Sequence, residues 1–217
     1  MKKIFNLTRA GALACAILSG GSAGAVSLTN GGFEDPVATA PITSIFSTEM
    51  TGWTVMGGNI EIIKNTYWQP SAGTQSIDLN GLNPGIIKTT VTGLKTGSMY
   101  KLLFDMSANP IGGANTKAVR ATAGSATAEF SFDRTQLGFG FQNMLWEEKA
   151  LAFTALGPSA MLVFQDISLG GAASGPALDN IRVELMSAAI PLPASVPLLA
   201  SALAGLAALR RTRRAMS

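Results

Sequence analysis

Asn180-Ile181-Arg182-Val183-Glu184-Leu185 decides the fold class, because its apolar residues fall on every second position. Successive side chains of a strand point to opposite faces, so a strand here is apolar on one side and polar on the other. The same alternation recurs upstream. Ile77 and Leu79 alternate with Ser76 and Asp78, and Phe130 and Phe132 with Glu129, Ser131 and Asp133. Further strands are expected at 52–55, 59–63, 86–91, 99–106, 118–123, 145–154 and 160–167, separated by Gly, Pro and Asn. That spacing is the signature of an all-β sandwich. Gly124-Ser125 is read as a two-residue hairpin turn, where Gly supplies a positive φ. Residues 109–115 and 137–142 are read as loops, and no amphipathic helical stretch appears. One domain over residues 26–186 accounts for the pattern and is long enough for a sizeable core.

Outside that domain the two ends read as targeting segments. Lys2, Lys3 and Arg9 precede an apolar run from Ala10 to Leu18 and an A-x-A site at Ala23-Gly24-Ala25, which is a secretory signal peptide over residues 1–25 and a substrate for signal peptidase. Cys15 lies in that run, so the mature chain has neither cysteine nor histidine, and no disulfide framework. At the other end, over residues 187–217, Ile190-Pro191-Leu192-Pro193-Ala194 leads into an apolar segment from Val196 to Leu209 and then Arg210, Arg211, Arg213 and Arg214. Pro191, Pro193 and Pro197 keep a helix from starting early. The apolar run is short beside the roughly 20 residues of a relaxed membrane span, and the arginines would stay cytoplasmic.

Charge follows the same division. The chain carries 16 Lys and Arg against 13 Asp and Glu, for a net +3. Seven of the positive charges and none of the negative ones lie in the terminal segments, so residues 26–186 are net −4. No basic run interleaved with aromatics occurs in that domain, which argues against nucleic acid as a partner.

The order of Pro-rich motif, apolar helix and Arg cluster resembles the PEP-CTERM class of bacterial sorting signals, with Ile190–Ala194 as its VPLPA variant and Ile where Val is usual. That resemblance implies cleavage by an exosortase-type membrane protease, an inner-membrane intermediate, and a final place on the cell surface or in the extracellular matrix of a Gram-negative bacterium. An uncleaved C-terminal anchor is the alternative. Within the domain, Asn30-Gly31-Gly32-Phe33-Glu34, Gly52-Trp53-Thr54-Val55, Tyr67-Trp68-Gln69, Gly73 to Gly81, Tyr100 to Asp105, Phe130 to Asp133 and Gly175 to Ile181 together resemble the choice-of-anchor C family of exported proteins. The family is similar to a plant cell-wall family of unknown function and to jelly-roll carbohydrate-binding modules. It implies a galactose-binding-like jelly-roll β-sandwich and leaves the activity open. The jelly-roll resemblance also implies a structural Ca²⁺ held by Gly32, Glu34 and Asp179, with further carbonyls from the loop around residues 71–75, since calcium takes hard oxygen ligands. Glu34 and Asp179 as plain caps of turns are the alternative.

Aromatic residues are the candidates for sugar contact. Tyr67 and Trp68 sit among turn formers and are read either as an exposed platform for a sugar ring or as a cover for one end of the sandwich, with Asn80, Asn109 and Gln142 as hydrogen-bonding candidates. Trp53 is assigned to the core and Trp146 to a buried or half-buried position. Catalysis has little to stand on. Without His or Cys no Ser-His-Asp or Cys-His site can form, and Glu147 and Glu148, adjacent on a strand, face opposite ways. The chain is therefore read as a non-enzyme, in one of two classes: a module that binds extracellular polysaccharide, or a structural or adhesive matrix protein with no glycan specificity.

Overall fold

The computed structural model describes residues 25–46, 50–171 and 173–186; all but residue 25 of the segment read as a signal peptide (1–25), and all of the segment read as a sorting signal (187–217), lie outside them. Its strands are β1 (Ile42–Ile45), β2 (Thr54–Gly57), β3 (Ile60–Lys64), β4 (Gln75–Asp78), β5 (Ile86–Thr92), β6 (Met99–Ala108), β7 (Thr116–Ala123), β8 (Ala126–Asp133), β9 (Glu147–Thr154), β10 (Ser159–Asp166) and β11 (Pro176–Leu185). They form two sheets, a six-stranded one in the order β1-β3-β4-β11-β6-β9 and a five-stranded one in the order β2-β5-β10-β7-β8. Every strand pairing is antiparallel. The all-β sandwich expected from the alternation is the architecture observed.

Inward-facing residues of both sheets make one core. Leu102, Phe104 and Met106 of β6 and Leu178, Ile181 and Val183 of β11 meet Ile87 and Val91 of β5, Leu162 and Phe164 of β10, and Val119 and Ala121 of β7. Phe104 stands edge-on to Phe164 and Phe130 at 5.1 and 5.2 Å, a favourable geometry for aromatic pairs. Trp53 is 3% exposed and lies against Phe33 and Phe164. The hairpin at Gly124-Ser125 forms as expected, with Gly124 at φ 57°.

The sheets differ in how their outer faces are used. Segments 65–74 and 134–146 fold over the outside of the six-stranded sheet and bury a second, smaller core of Ile63, Trp68, Met144 and Ala177. This layer corrects one expectation. Ser76 and Asp78 were to be the wet side of β4, yet all four residues of that strand are buried, because β4 is interior to its sheet and covered from outside. Leu185 departs the other way. It is 51% exposed where its strand runs past the core. Strand β1, a short edge strand, alternates only between exposed and half-buried positions, so neither of its sides is fully buried. Strand β9 starts at Glu147 instead of Leu145, whose φ of 47° is incompatible with a strand.

Candidate functional site

The opening and closing motifs of the domain are docked through their backbones. The Ile181 N–H donates to the Gly31 carbonyl at 2.8 Å, and a Cβ on Gly31 would run into the Ile181 carbonyl oxygen. Asn30, at φ 55°, donates its side-chain amide to the Asp35 and Thr51 carbonyls and accepts from the Asp35 N–H. Phe33 can then enter the core, and Gly32 comes to rest between two carboxylates. A Cβ built on Gly32 would lie 3.9 Å from Glu34 Cγ and 4.0 Å from Asp179 Oδ1. The three residues read as metal ligands, 147 positions apart at their extremes, are thus brought together.

The 71–75 loop joins them with the opposite polarity from the one expected. It presents amides. Glu34 Oε1 accepts from the N–H groups of Thr74 and Gln75 at 2.8 and 3.1 Å, and Oε2 from the Thr74 hydroxyl. Asp179 Oδ2 accepts from the N–H groups of Ser71 and Ala72, both at 2.9 Å, and Oδ1 from Asn180 N–H at 2.7 Å. Two carboxylates cannot repel a loop that offers them donors, so the loop is stapled at both ends. Asp105, which sequence reasoning missed, sits opposite Asp179 in the register of β6 and β11 and accepts from the Ser71 hydroxyl and the Asn180 side chain. Only the strand pairing reveals it.

Burial pushes the Asp179 carboxyl up to about 7; its three N–H partners act against that and the neighbouring Asp105 adds to it. Arg182, three residues on in the same strand, serves Asp105 at 3.9 Å, Glu148 and Glu184. None of the ion pairs among the described residues involves Asp179. Asp179 Oδ1 and Glu34 Oε2 each keep an unused lone pair, the donor set is all oxygen, and a buried carboxylate lacks a counter-charge. The residues fit a hard divalent cation.

A second polar cluster closes the upper end of the sandwich, where β4, β6 and β10 finish. Asp78 accepts from the N–H groups of Asn80 and Gly175 and from the Asn109 side chain at 2.7 Å. Asn80 in turn donates to Asp166 at 2.7 Å. Lys117, with no exposed surface, donates to the Gly112 and Ser174 carbonyls and the Ser174 hydroxyl. Burial raises Asp78 to about 7 and lowers Lys117, with Arg134 adding to the second shift and the charges of Asp78 and Asp166 acting against it. Asn80 and Asn109 are therefore buried pins, tying their own loops to Asp166, Gly171 and Asp78. Gln142 is exposed.

The aromatic platform is corrected. Trp68 is fully buried and its indole N–H donates to the Ser76 hydroxyl at 2.8 Å, so neither ring face is open to a sugar. Tyr67 is half-buried with its ring edge-on to Phe141 at 5.4 Å. The half-buried Trp146 donates to the Gln69 carbonyl at 3.0 Å. These rings hold the covering segments onto the sheet, which is the other role the sequence offered for Tyr67 and Trp68. The sorting-motif residues Ile190–Ala194 and Arg210, Arg211, Arg213 and Arg214 lie outside the described residues.

The remaining large surface is the outer face of the five-stranded sheet, which nothing covers among the described residues. Val55, Ile87, Val91, Leu162, Phe164, Val119 and Phe132 point into the core. Period 2 then turns Thr54, Lys88, Thr90, Met161, Val163, Gln165, Arg120, Thr122 and Glu129 outward. No aromatic ring stands among them.

A family model described as "Protein of unknown function (DUF642)" matches residues 26–184. Halomucin of Haloquadratum walsbyi is 33% identical over 137 residues, which are 63% of this chain and 1% of halomucin. The chain thus spans a very small part of that relative's length. Among solved structures, the arabinose-bound α-L-arabinofuranosidase MgGH51 superposes with a TM-score of 0.50 at 11% identity, over 77% of this chain and 27% of that one. A CBM4 module gives 0.42 at 12% identity, covering 74% of this chain and all of the module. The galactotriose-bound TmCBM61 gives 0.42 at 14%, covering 73% and 97%. The neighbours are mostly carbohydrate-binding modules, with enzymes among them, and the likeness is one of fold.

Proposed function

Because this chain belongs to the DUF642 family, which carries no assigned function, we propose from its own geometry that it is an exported, non-catalytic module that binds extracellular polysaccharide. The observation that carries this reading is the asymmetry of the sandwich. One outer face is sealed by segments 65–74 and 134–146, and the other is left open among the described residues and rich in hydroxyl, amide and charged side chains. A sugar polymer offers many hydroxyls and little apolar area, and a long hydrogen-bonding sheet face matches it. Retention of the purified chain on a panel of insoluble polysaccharides tests the reading; migration with the unbound fraction on every polymer would overturn it. The second reading, a structural or adhesive matrix protein with no glycan specificity, is favoured by the burial of Trp53 and Trp68. Passive incorporation into a matrix with no polymer preference is its signature.

Two further elements belong to this proposal. Gly32, Glu34 and Asp179 would hold a structural Ca²⁺, which would neutralise the two carboxylates and tie both chain ends of the domain to the 71–75 loop. The remaining ligands would be carbonyls or water. The segment 187–217 would direct the chain, as a choice-of-anchor C protein, through an exosortase-type protease to the cell surface or matrix of a Gram-negative bacterium, with signal peptidase removing residues 1–25. The support for both is the sequence order described above.

A further inference from the structure

The open sheet face holds one feature that a generic hydroxyl-rich surface would lack. A groove of about 310 Å³ runs over β2, β5 and β10, lined by Thr29, Gly52, Thr54, Lys88, Thr90 and Met161. That is at the lower end of the ~300–1,000 Å³ usual for ligand sites. Its wall is fixed from beneath, where the buried Thr89 donates its hydroxyl to the Gly52 carbonyl at 2.7 Å. Thr54 and Lys88 are directly paired across β2 and β5, and Thr90 is paired with Met161 across β5 and β10 on its other flank, so the four side chains form a stepped row across three strands.

Lys88 is the decisive member. It is half-buried in the floor, and none of the ion pairs among the described residues involves it. Glu129, an acid on the same outer face, is already held by Arg120 at 2.7 Å. An ammonium carries three donors and no acceptor. Around it stand threonine hydroxyls at Thr29, Thr54 and Thr90, which both donate and accept, and the Met161 thioether, which adapts to an irregular apolar surface. A cation that pairs with no acid among the described residues, ringed by hydroxyls and one soft apolar contact, is complementary to a sugar ring bearing an anionic group. The domain's net −4 does not cancel this, because charges more than about 8 Å away are largely screened at physiological salt.

We infer, resting on the polysaccharide reading above, that this groove is the ligand site and that it takes an anionic sugar residue, carboxylated or sulfated, with Lys88 pairing the anion and Thr54 and Thr90 the ring hydroxyls. The test uses the full chain in detergent and three soluble polymers in affinity electrophoresis: alginate for the carboxylate, dextran sulfate for the sulfate, and a neutral arm of dextran, galactan and xylan. At least one anionic polymer should retard the protein, and rising salt should weaken the retardation. Lys88→Gln should weaken it about ten- to hundredfold, the loss expected of one hydrogen bond to a charged group. Lys88→Arg should keep it, and Lys101→Gln, an equal charge change on the other sheet, should leave it unchanged. Melting temperatures of all variants check folding. Retardation by an anionic polymer that Lys88→Gln leaves intact, or equal retardation by the neutral arm, would overturn the anionic-sugar inference and leave the polysaccharide reading standing. A folded protein retarded by none of the polymers and retained on no insoluble one would bring down both.

Discussion

Trp68 shows how a single side chain divides the two readings. Its indole is buried and hydrogen-bonded to Ser76, so Trp68→Ala is expected to cost about 3–5 kcal/mol of stability, as for other buried Trp truncations. Polysaccharide retention should then fall only with the folded fraction. A variant of unchanged melting temperature that fails to bind would contradict this placement. Glu34 and Asp179 make the complementary case, where the effect depends on an ion. A ligand held only by the folded state stabilises it by about 2.7 kcal/mol at a hundredfold excess over Kd. Calcium-loaded protein should melt at a lower temperature in EDTA, and Asp179→Ala should abolish the difference. If the wild-type curve is the same with and without chelator, the two carboxylates are staples of the 71–75 loop and nothing more.

Strand β4 carries a pH prediction that its sequence conceals. Burial moves the Asp78 carboxyl from 3.8 to about 7 in the folded protein. The folded state therefore holds this proton more tightly than the unfolded chain does. The contribution is complete below about pH 3.8 and is lost as pH rises towards 7. Denaturant titrations should give lower stability at pH 8 than at pH 5, and Asp78→Asn should flatten that slope. Asp179, shifted the same way, keeps part of it. Slopes are the quantity to compare, since an amide at 78 cannot accept from Asn80, Asn109 and Gly175 at once. An identical slope in the variant would assign the pH dependence elsewhere. Why β4 misled is instructive. Alternation reports which side faces the main core, and it identified Ile77 and Leu79 correctly. It is silent on whether a second layer covers the other side, because that layer comes from segments with no periodicity, 65–74 and 134–146. The same reason accounts for Trp68. Convergence of Gly32, Glu34 and Asp179 came from family resemblance, whereas Asp105 and Lys88 needed strand order and register, which no local pattern encodes.

At the scale of the whole molecule, the two described chain ends leave from one pole. Ser27 pairs with Thr92 at the end of β5, and Leu185 pairs with Tyr100 at the start of β6, the two strands being joined there by residues 93–98. A membrane segment at 196–209 would hold that pole towards the bilayer, with the sheets standing upright and the open face reachable from the side. The Arg cluster at 210–214 resists translocation, so before processing it should lie on the cytoplasmic side with residues 26–186 outside. Protease added to spheroplasts should digest the sandwich and spare the arginines; the reverse pattern would invert the topology. Processing can be followed on the same material. If an exosortase-type protease cuts near Pro193, as proposed, the cut would remove the apolar run, so protein recovered from the matrix should yield peptides up to about residue 190 and none from 195–210. Peptides covering 195–210 in that fraction would mean the tail is an uncleaved anchor, and the protein would then be expected in membrane fractions even after the matrix is dissolved.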